Sequence, residues 1–183
     1  NIDVRDGIQA LWKKVYDIVD YYEHNGLISG KNGFGDQVDI EKEMVKPVVY
    51  NREFLPLREI VPDAYRVFPY MGDDHKTKIS IKEVQEKYPL AYKYLESNKK
   101  LITGKVRHND GEYWHTYTRE HNHDSFESPK IIVPMTTKET YAAFVADKGL
   151  YMDNSNVWFL NYRGNNECVM KALTMIINST LFS

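Results

Sequence analysis

The sequence predicts an α+β fold of mostly antiparallel strands with a helical insert and a C-terminal helix. Three observations lead there. Strand-like segments flank a helix-like block between Ser80 and Asn98 instead of alternating with helices as a βαβ chain would. Fourteen tyrosines and three tryptophans favour pleated surfaces, on which aromatic rings pack well. Val169, Leu173, Ile176, Ile177 and Leu181 recur at three-to-four spacing, the period of a helix with one apolar stripe.

Taken in order, residues 7–19 suit a helix in the middle and a strand at Val15-Tyr16-Asp17-Ile18, where apolar and polar residues alternate. Residues 24–40 contain Gly26, Gly30, Gly33 and Gly35 among Asn, Ser and Asp, and read as loop or hairpin turn. Met44 to Tyr50 is a strand that Pro47 assigns to an edge or a strand start. Tyr65 to Tyr70 is another. Ser80 opens a helix, with Glu83 placed to complete a capping box, and Pro89 ends it and starts a second helix from Leu90 to about Asn98. Strands follow at 112–119 and 130–133. Asp147-Lys148-Gly149 reads as a hairpin turn between 143–146 and 150–152. Val157–Leu160 is a short strand, and Asn165 or Asn166 caps the last helix.

The length and the 42% hydrophobic content suit one globular domain, or two small lobes sharing a core. The start lacks a signal-peptide pattern and no apolar run of about 18 residues occurs, so no membrane partner is expected. The chain opens on Asn1 and its last helix meets no stop signal, so it reads as a fragment of a larger protein. A single cysteine, Cys168, points to a reducing cytoplasmic setting, and its place on the apolar-periodic helix predicts burial. The net charge of −2 is not a nucleic-acid footprint. Five Lys/Arg stand against nine Asp/Glu in residues 1–45, and nineteen against seventeen in the remainder.

No catalytic site is expected. Gly30-Lys31-Asn32-Gly33-Phe34-Gly35 follows no apolar strand and opens no helix, so it reads as a plain flexible loop and not as a nucleotide-binding one. Asp63 and Asp74-His75-Lys76 mimic a nuclease set, but the second group falls in a turn and not on an apolar strand. His121 and His123, with Asp124, His108 and His115, form the best metal-like cluster, yet lack four well-spaced ligands, so no metal is expected.

Residues suited to DNA contacts are more numerous. Lys99, Lys100, Lys105 and Arg107 form a basic segment leading into Trp114-His115-Thr116-Tyr117-Thr118-Arg119. On strand alternation His115, Tyr117 and Arg119 share one face. Lys130 begins the next strand, and Asn161, Tyr162 and Arg163 open a polar loop whose amide and guanidinium groups match base edges. Arg119 and Lys130 are expected at the DNA surface, where truncation to Ala weakens binding without unfolding the chain.

The order of these segments resembles the TaqI-like specificity (target recognition) domain of adenine-specific DNA methyltransferases and fused restriction-modification enzymes. The resemblance runs through Gly7–Val19, 45–54, Val67-Phe68-Pro69-Tyr70, Tyr88–Leu95 with Lys99-Lys100-Leu101, Trp114–Arg119, Ser128–Pro134, Phe144–Tyr151 and Ile177–Leu181. Each match is short, and their shared order carries the likeness. One departure is Leu101-Ile102-Thr103-Gly104-Lys105-Val106-Arg107, which delays the basic residue that members often carry after the leucine. No base-reading residue is carried over. The resemblance implies that this chain recognises double-stranded DNA and positions an adenine for an upstream methyltransferase domain that supplies S-adenosylmethionine. It implies no cofactor in this domain itself. The family's Asn-Pro-Pro-aromatic base clamp is absent from this chain, which has no Pro-Pro pair. Rival readings are a protein-interaction module, a small metal-dependent hydrolase using His121, His123 and Asp124, and a specificity subunit of a multi-subunit restriction system.

Overall fold

The computed structural model describes residues 2–51, 53–56, 58–72, 75–104, 111–119, 122–146, 149–164 and 166–179. Asp74, Lys105, Arg107, His108, His121, Asp147, Lys148, Asn165 and Leu181 lie outside the described residues. In chain order the strands and helices begin with β1 (Ile2–Asp6), α1 (Lys13–Tyr16), β2 (Asp17–His24), β3 (Leu27–Lys31), β4 (Gln37–Glu41) and β5 (Val45–Val49). Then β6 (Ala64–Val67), β7 (Tyr70–Met71) and β8 (Thr77–Lys78) lead into α2 (Ile81–Lys87), α3 (Pro89–Ser97) and α4 (Lys99–Thr103). Last come β9 (Lys130–Pro134), β10 (Ala143–Val145), β11 (Tyr151–Met152), β12 (Val157–Tyr162) and α5 (Glu167–Ile177). The fold is α+β, with mostly antiparallel sheets and a C-terminal helix. Among the described residues no helix is long and apolar enough to cross a membrane.

The chain divides into two compact units, each assembled from separated segments. The first draws on Asn1–Ile8, Val48–Asp63 and His121–Ser183, the second on Gln9–Pro47 and Ala64–Glu120.

The second unit carries the strand order β6-β2-β3-β4, with β5, whose first three residues belong to it, beside β6. Asn25 and Gly26 lie at φ 47° and 77°, the backbone a two-residue type I′ turn needs, and they join β2 to β3 through the His24↔Leu27 pair. The segment 24–40 is therefore largely strand, not loop. Gly30 sits inside β3, where a Cβ would come within 2.6 Å of the Val19 carbonyl oxygen. The glycine count misled because Gly30 and Gly33 serve close backbone approaches, while Gly26 and Gly35 serve turns at positive φ.

The helical insert begins as expected. The Ser80 hydroxyl accepts from Glu83 N at 3.2 Å, while the Glu83 carboxylate accepts from Lys87 Nζ at 2.6 Å instead of turning back to the cap. Pro89 starts α3, and the Glu41 carboxylate accepts from the N–H groups of Leu90 and Ala91 at 2.8 and 2.9 Å. A strand-borne anion thus satisfies donors that a helix start leaves open and ties α3 to the sheet.

Residues 112–119 are not a strand. A 3-10 turn at Gly111–Tyr113 runs into further turns, and Thr116 returns both its N–H and its hydroxyl to the Tyr113 carbonyl at 3.0 and 2.9 Å. Trp114, His115, Thr116 and Tyr117 are buried in succession, so no alternating face exists. Local side-chain bonds to the backbone compete with the ladder here and prevail.

In the first unit β1, β12, β9 and β10 form one sheet, and β11 pairs parallel with the last two residues of β5. The expected hairpin around 147–149 is corrected: β10 pairs with β9, whereas β11 joins Val48 and Val49. Helix α5 is capped by Asn166, whose Oδ1 accepts from Cys168 N at 3.0 Å and Val169 N at 3.4 Å. Its buried face is Met170, Thr174 and Ile177, packed with Ile131 and Ala142. Val169 and Ile176, assigned inward by spacing, are 41% and 48% exposed, and Cys168 is exposed as well. An apolar sequence on both faces hides which face a helix buries. Thr174 resolves the choice by returning its hydroxyl to Met170 O at 2.8 Å, which lets a polar residue face the core.

Candidate nucleic-acid interface

In the second unit the segment 114–117 is held by three tyrosines. Tyr16 donates its hydroxyl to His115 O at 2.9 Å, Tyr117 N donates to the Tyr70 hydroxyl at 2.6 Å, and the Tyr117 hydroxyl donates to Val67 O. Tyr16 and Tyr70 pack against the Tyr117 ring at 5.5 and 5.4 Å between centroids. Burial raises the Tyr16 and Tyr117 hydroxyls well above the ordinary tyrosine range, so both remain neutral donors. Beneath them Arg66 is fully buried and grips Asp17, with Nε to Oδ1 at 2.5 Å and Nη2 to Oδ2 at 2.8 Å. The β2–β6 register sets these two residues opposite each other.

This anchoring corrects two expected contact residues. His115 and Tyr117 are interior, with 0% and 3% of their surface exposed, because the segment is a buried turn and not a strand with an outer face. Neither His115 ring nitrogen has a partner of ordinary hydrogen-bond geometry among the described residues. Burial lowers its pKa to about 4, and a weak interaction with the Ile79 backbone offsets only part of that.

What the anchored segment presents is Thr118 and Arg119, both exposed. Helix α4 adds Lys99, whose Nζ stands 4.9 Å from the Trp114 ring centroid and pairs with Glu96 at 3.2 Å, and Lys100, which is exposed. Among the described residues neither Lys100 nor Arg119 forms an ion pair. Trp12 and Tyr16, at α1, border a small depression shared with Ile102, Thr116, Tyr117 and Thr118. The structure thus brings Lys99 over the buried Trp114 ring of the pinned segment, with Lys100 exposed on α4 and Arg119 exposed just after the segment. Sequence reasoning did not pair Lys14 with Phe34, whose ring lies 5.8 Å from Lys14 Nζ. The Lys13-Lys14 pair after Trp12, and a phenylalanine between two glycines, were the signals present.

Of the expected residues of the first unit, Lys130 is buried, Asn161 and Tyr162 are half-buried, and Arg163 is exposed in an ion pair. Lys130 is fully buried, its Nζ donating to the carbonyls of Phe126 at 2.7 Å and Leu150 at 3.0 Å. It is a core residue and not a surface cation: at the start of β9 its side chain has no exposed surface and its ammonium donates to carbonyls on both sides of it. Asn161 and Tyr162 belong to β12 and not to a loop. Asn161 Nδ2 donates to Ser128 Oγ at 2.8 Å and Pro129 O at 3.4 Å, and half-buried Tyr162 packs against the core under α5. Arg163 is exposed but doubly bonded to Asp3, both contacts at 2.9 Å, and this guanidinium holds the Asp3 carboxyl below its usual range.

Other candidates resolve as structure. The Asp63 carboxylate accepts from Tyr50 N and Asn51 N at 2.8 and 2.7 Å, which shapes the turn after β5. His123 is fully buried, and among the described residues no group of three His, Cys, Asp or Glu side chains converges as metal ligands. A cleft of about 690 Å³ lies beside α5, lined by Arg58, Ile60, Phe144, Leu150, Lys171 and Met175. No protein-family model matches the chain.

Proposed function

We propose that this chain recognises double-stranded DNA for a restriction-modification type adenine methyltransferase in the cytoplasm. It sets register on the duplex while an upstream catalytic domain of the same protein binds S-adenosylmethionine and modifies the base. On this reading the chain performs no chemistry of its own. The observation that carries it is the segment leading to exposed Arg119, fixed by three buried tyrosine hydrogen bonds, with Lys99 of α4 over its Trp114 ring. Cations on a rigid support neutralise phosphates at little entropic cost, and phosphate contacts fix the orientation in which bases are read. The ordered sequence resemblance supports the same assignment.

Anisotropy titrations of a mixed-sequence duplex across a salt series test it. Affinity is expected to fall with salt, and Lys100→Ala and Arg119→Ala are each expected to flatten the log–log slope by about 0.9 with the thermal midpoint unchanged. Absent or salt-independent binding would remove the reading. The outward face of α5, where Val169, Met175 and Ile176 are 41%, 66% and 48% exposed, favours a second reading as a protein-docking module. That reading expects a partner to cover α5 and no duplex affinity.

A further inference from the structure

The turn between β3 and β4 presents an aromatic ring on a support more rigid than a surface loop needs. Asn32 is 3% exposed, and its Oδ1 accepts from Phe34 N at 2.9 Å and Asp36 N at 3.0 Å. Its Nδ2 donates to Asp36 Oδ2 at 3.2 Å and to the Tyr94 hydroxyl at 3.4 Å, while that hydroxyl donates to Val15 O at 2.5 Å. Gly33 N donates to Lys14 O at 2.8 Å, and a Cβ on Gly33 would stand 2.5 Å from the Lys14 Cα. Gly35 takes φ 89°, which a side chain would oppose. One buried amide, two helices and two glycines thus determine the path of five residues. The side chain at the apex, Phe34, remains 49% exposed.

An isolated surface phenylalanine needs no explanation by itself. A phenylalanine held clear of the core by a buried polar network and flanked by a cation does. Lys14 stands 5.8 Å from the ring, so the tip offers an apolar plane beside a positive charge. That pairing matches a nucleic acid, in which apolar base faces lie behind an anionic backbone. Helix α1 connects this tip to the proposed interface: Lys14 adjoins Phe34, while Trp12 and Tyr16 adjoin Ile102 and Thr116–Thr118.

Resting on the duplex-recognition reading, we propose that Phe34 is a wedge that packs its ring against a base step of the bound duplex, with Lys14 on the adjacent phosphate. A ring without donors or acceptors reads no base letter. It favours steps that unstack readily, so it adds specificity through deformability.

The test uses the whole chain and a mixed-sequence duplex of about three helical turns, a length that spans a typical dimer-sized site. Phe34→Ala is expected to weaken binding at least about fivefold, the low end for loss of one aromatic–base contact, with the salt slope unchanged. Phe34→Trp is expected to bind as wild type does, with the emission of its introduced indole quenched by duplex. Equal binding by wild type and Phe34→Ala, with no quenching of the indole in Phe34→Trp, overturns this inference and leaves duplex recognition standing. Failure of the wild-type chain to bind duplex at any salt overturns both. A drop in thermal midpoint for Phe34→Ala that accounts for its weaker binding, with the introduced indole unquenched, assigns the ring a structural role and likewise overturns the wedge.

Discussion

The two units use the same residue types to opposite ends. In the first, Lys130, Asn161 and Arg163 each spend their hydrogen-bonding capacity on the chain itself, on interior carbonyls, on Ser128 and on Asp3. In the second, Arg66 and the tyrosines take the interior roles, and Lys100 and Arg119 are left facing outward. The comparison teaches that a side chain suited to base edges or phosphates is available to a partner only where the fold has no use for it. It also separates two kinds of exposed surface: cations beyond a pinned, buried turn in one unit, an uncovered apolar helix face in the other.

The sharpest way to break the second unit's arrangement is to remove one member of its buried ion pair. Arg66→Met takes the guanidinium away from the buried Asp17 carboxylate, and is expected to cost about 3–5 kcal/mol in urea denaturation. Adding Asp17→Leu to it should recover much of that loss. A single variant of near wild-type stability would show that the pair does not hold the turn.

Acid provides the next test. His115 is neutral and buried, with a pKa near 4 against an ordinary 6.5, so the unfolded chain takes up its proton at higher pH than the folded one. The stability tied to this residue is complete above pH about 6.5 and is lost as the pH falls toward about 4, by up to roughly 3 kcal/mol. His115→Leu is expected to remove that part of the pH dependence. An unchanged profile in the variant would mean that the histidine is not buried in its neutral form.

In the first unit Lys130→Met keeps the stem of the side chain but removes the ammonium that serves Leu150 O and Phe126 O, of which Phe126 O keeps the bond from Gly149 N at 3.1 Å, at an expected cost of about 1–3 kcal/mol. Duplex affinity should follow stability alone in this variant, in contrast to Arg119→Ala, which should lower affinity with stability intact. The smallest effect belongs to the helix cap: Asn166→Ala is expected to cost about 1 kcal/mol in thermal or chemical unfolding.

Much of the architecture was legible from the chain. The Ser80 cap, the break at Pro89, the strands at 45–49 and 130–134 and the terminal helix all follow from local chemistry. Long-range pairing was not legible. The β11–β5 pair and the assembly of each unit from separated segments depend on contacts far apart in sequence, on which periodicity is silent. The 114–119 segment failed for a different reason: its alternation of large and polar residues imitates a strand, while tyrosines from distant elements bury it as a turn. Of the expected contact residues that are described, Lys99, Lys100, Arg119 and the Asp3-paired Arg163 keep an outward or rim position, set there by α4, the end of a pinned turn and the turn after β12. Whether a lysine emerges or turns inward, as Lys130 does, depends on carbonyls supplied by residues four and twenty positions away.

Lysine acetylation with and without a mixed-sequence duplex tests the contrast between the units most directly, since both report in one sample. The account expects Lys14, Lys99 and Lys100 to be protected when duplex is added, while Lys138 and Lys171 keep their reactivity. Protection confined to Lys138 and Lys171, or equal reactivity at all five positions under conditions that saturate binding, would contradict it.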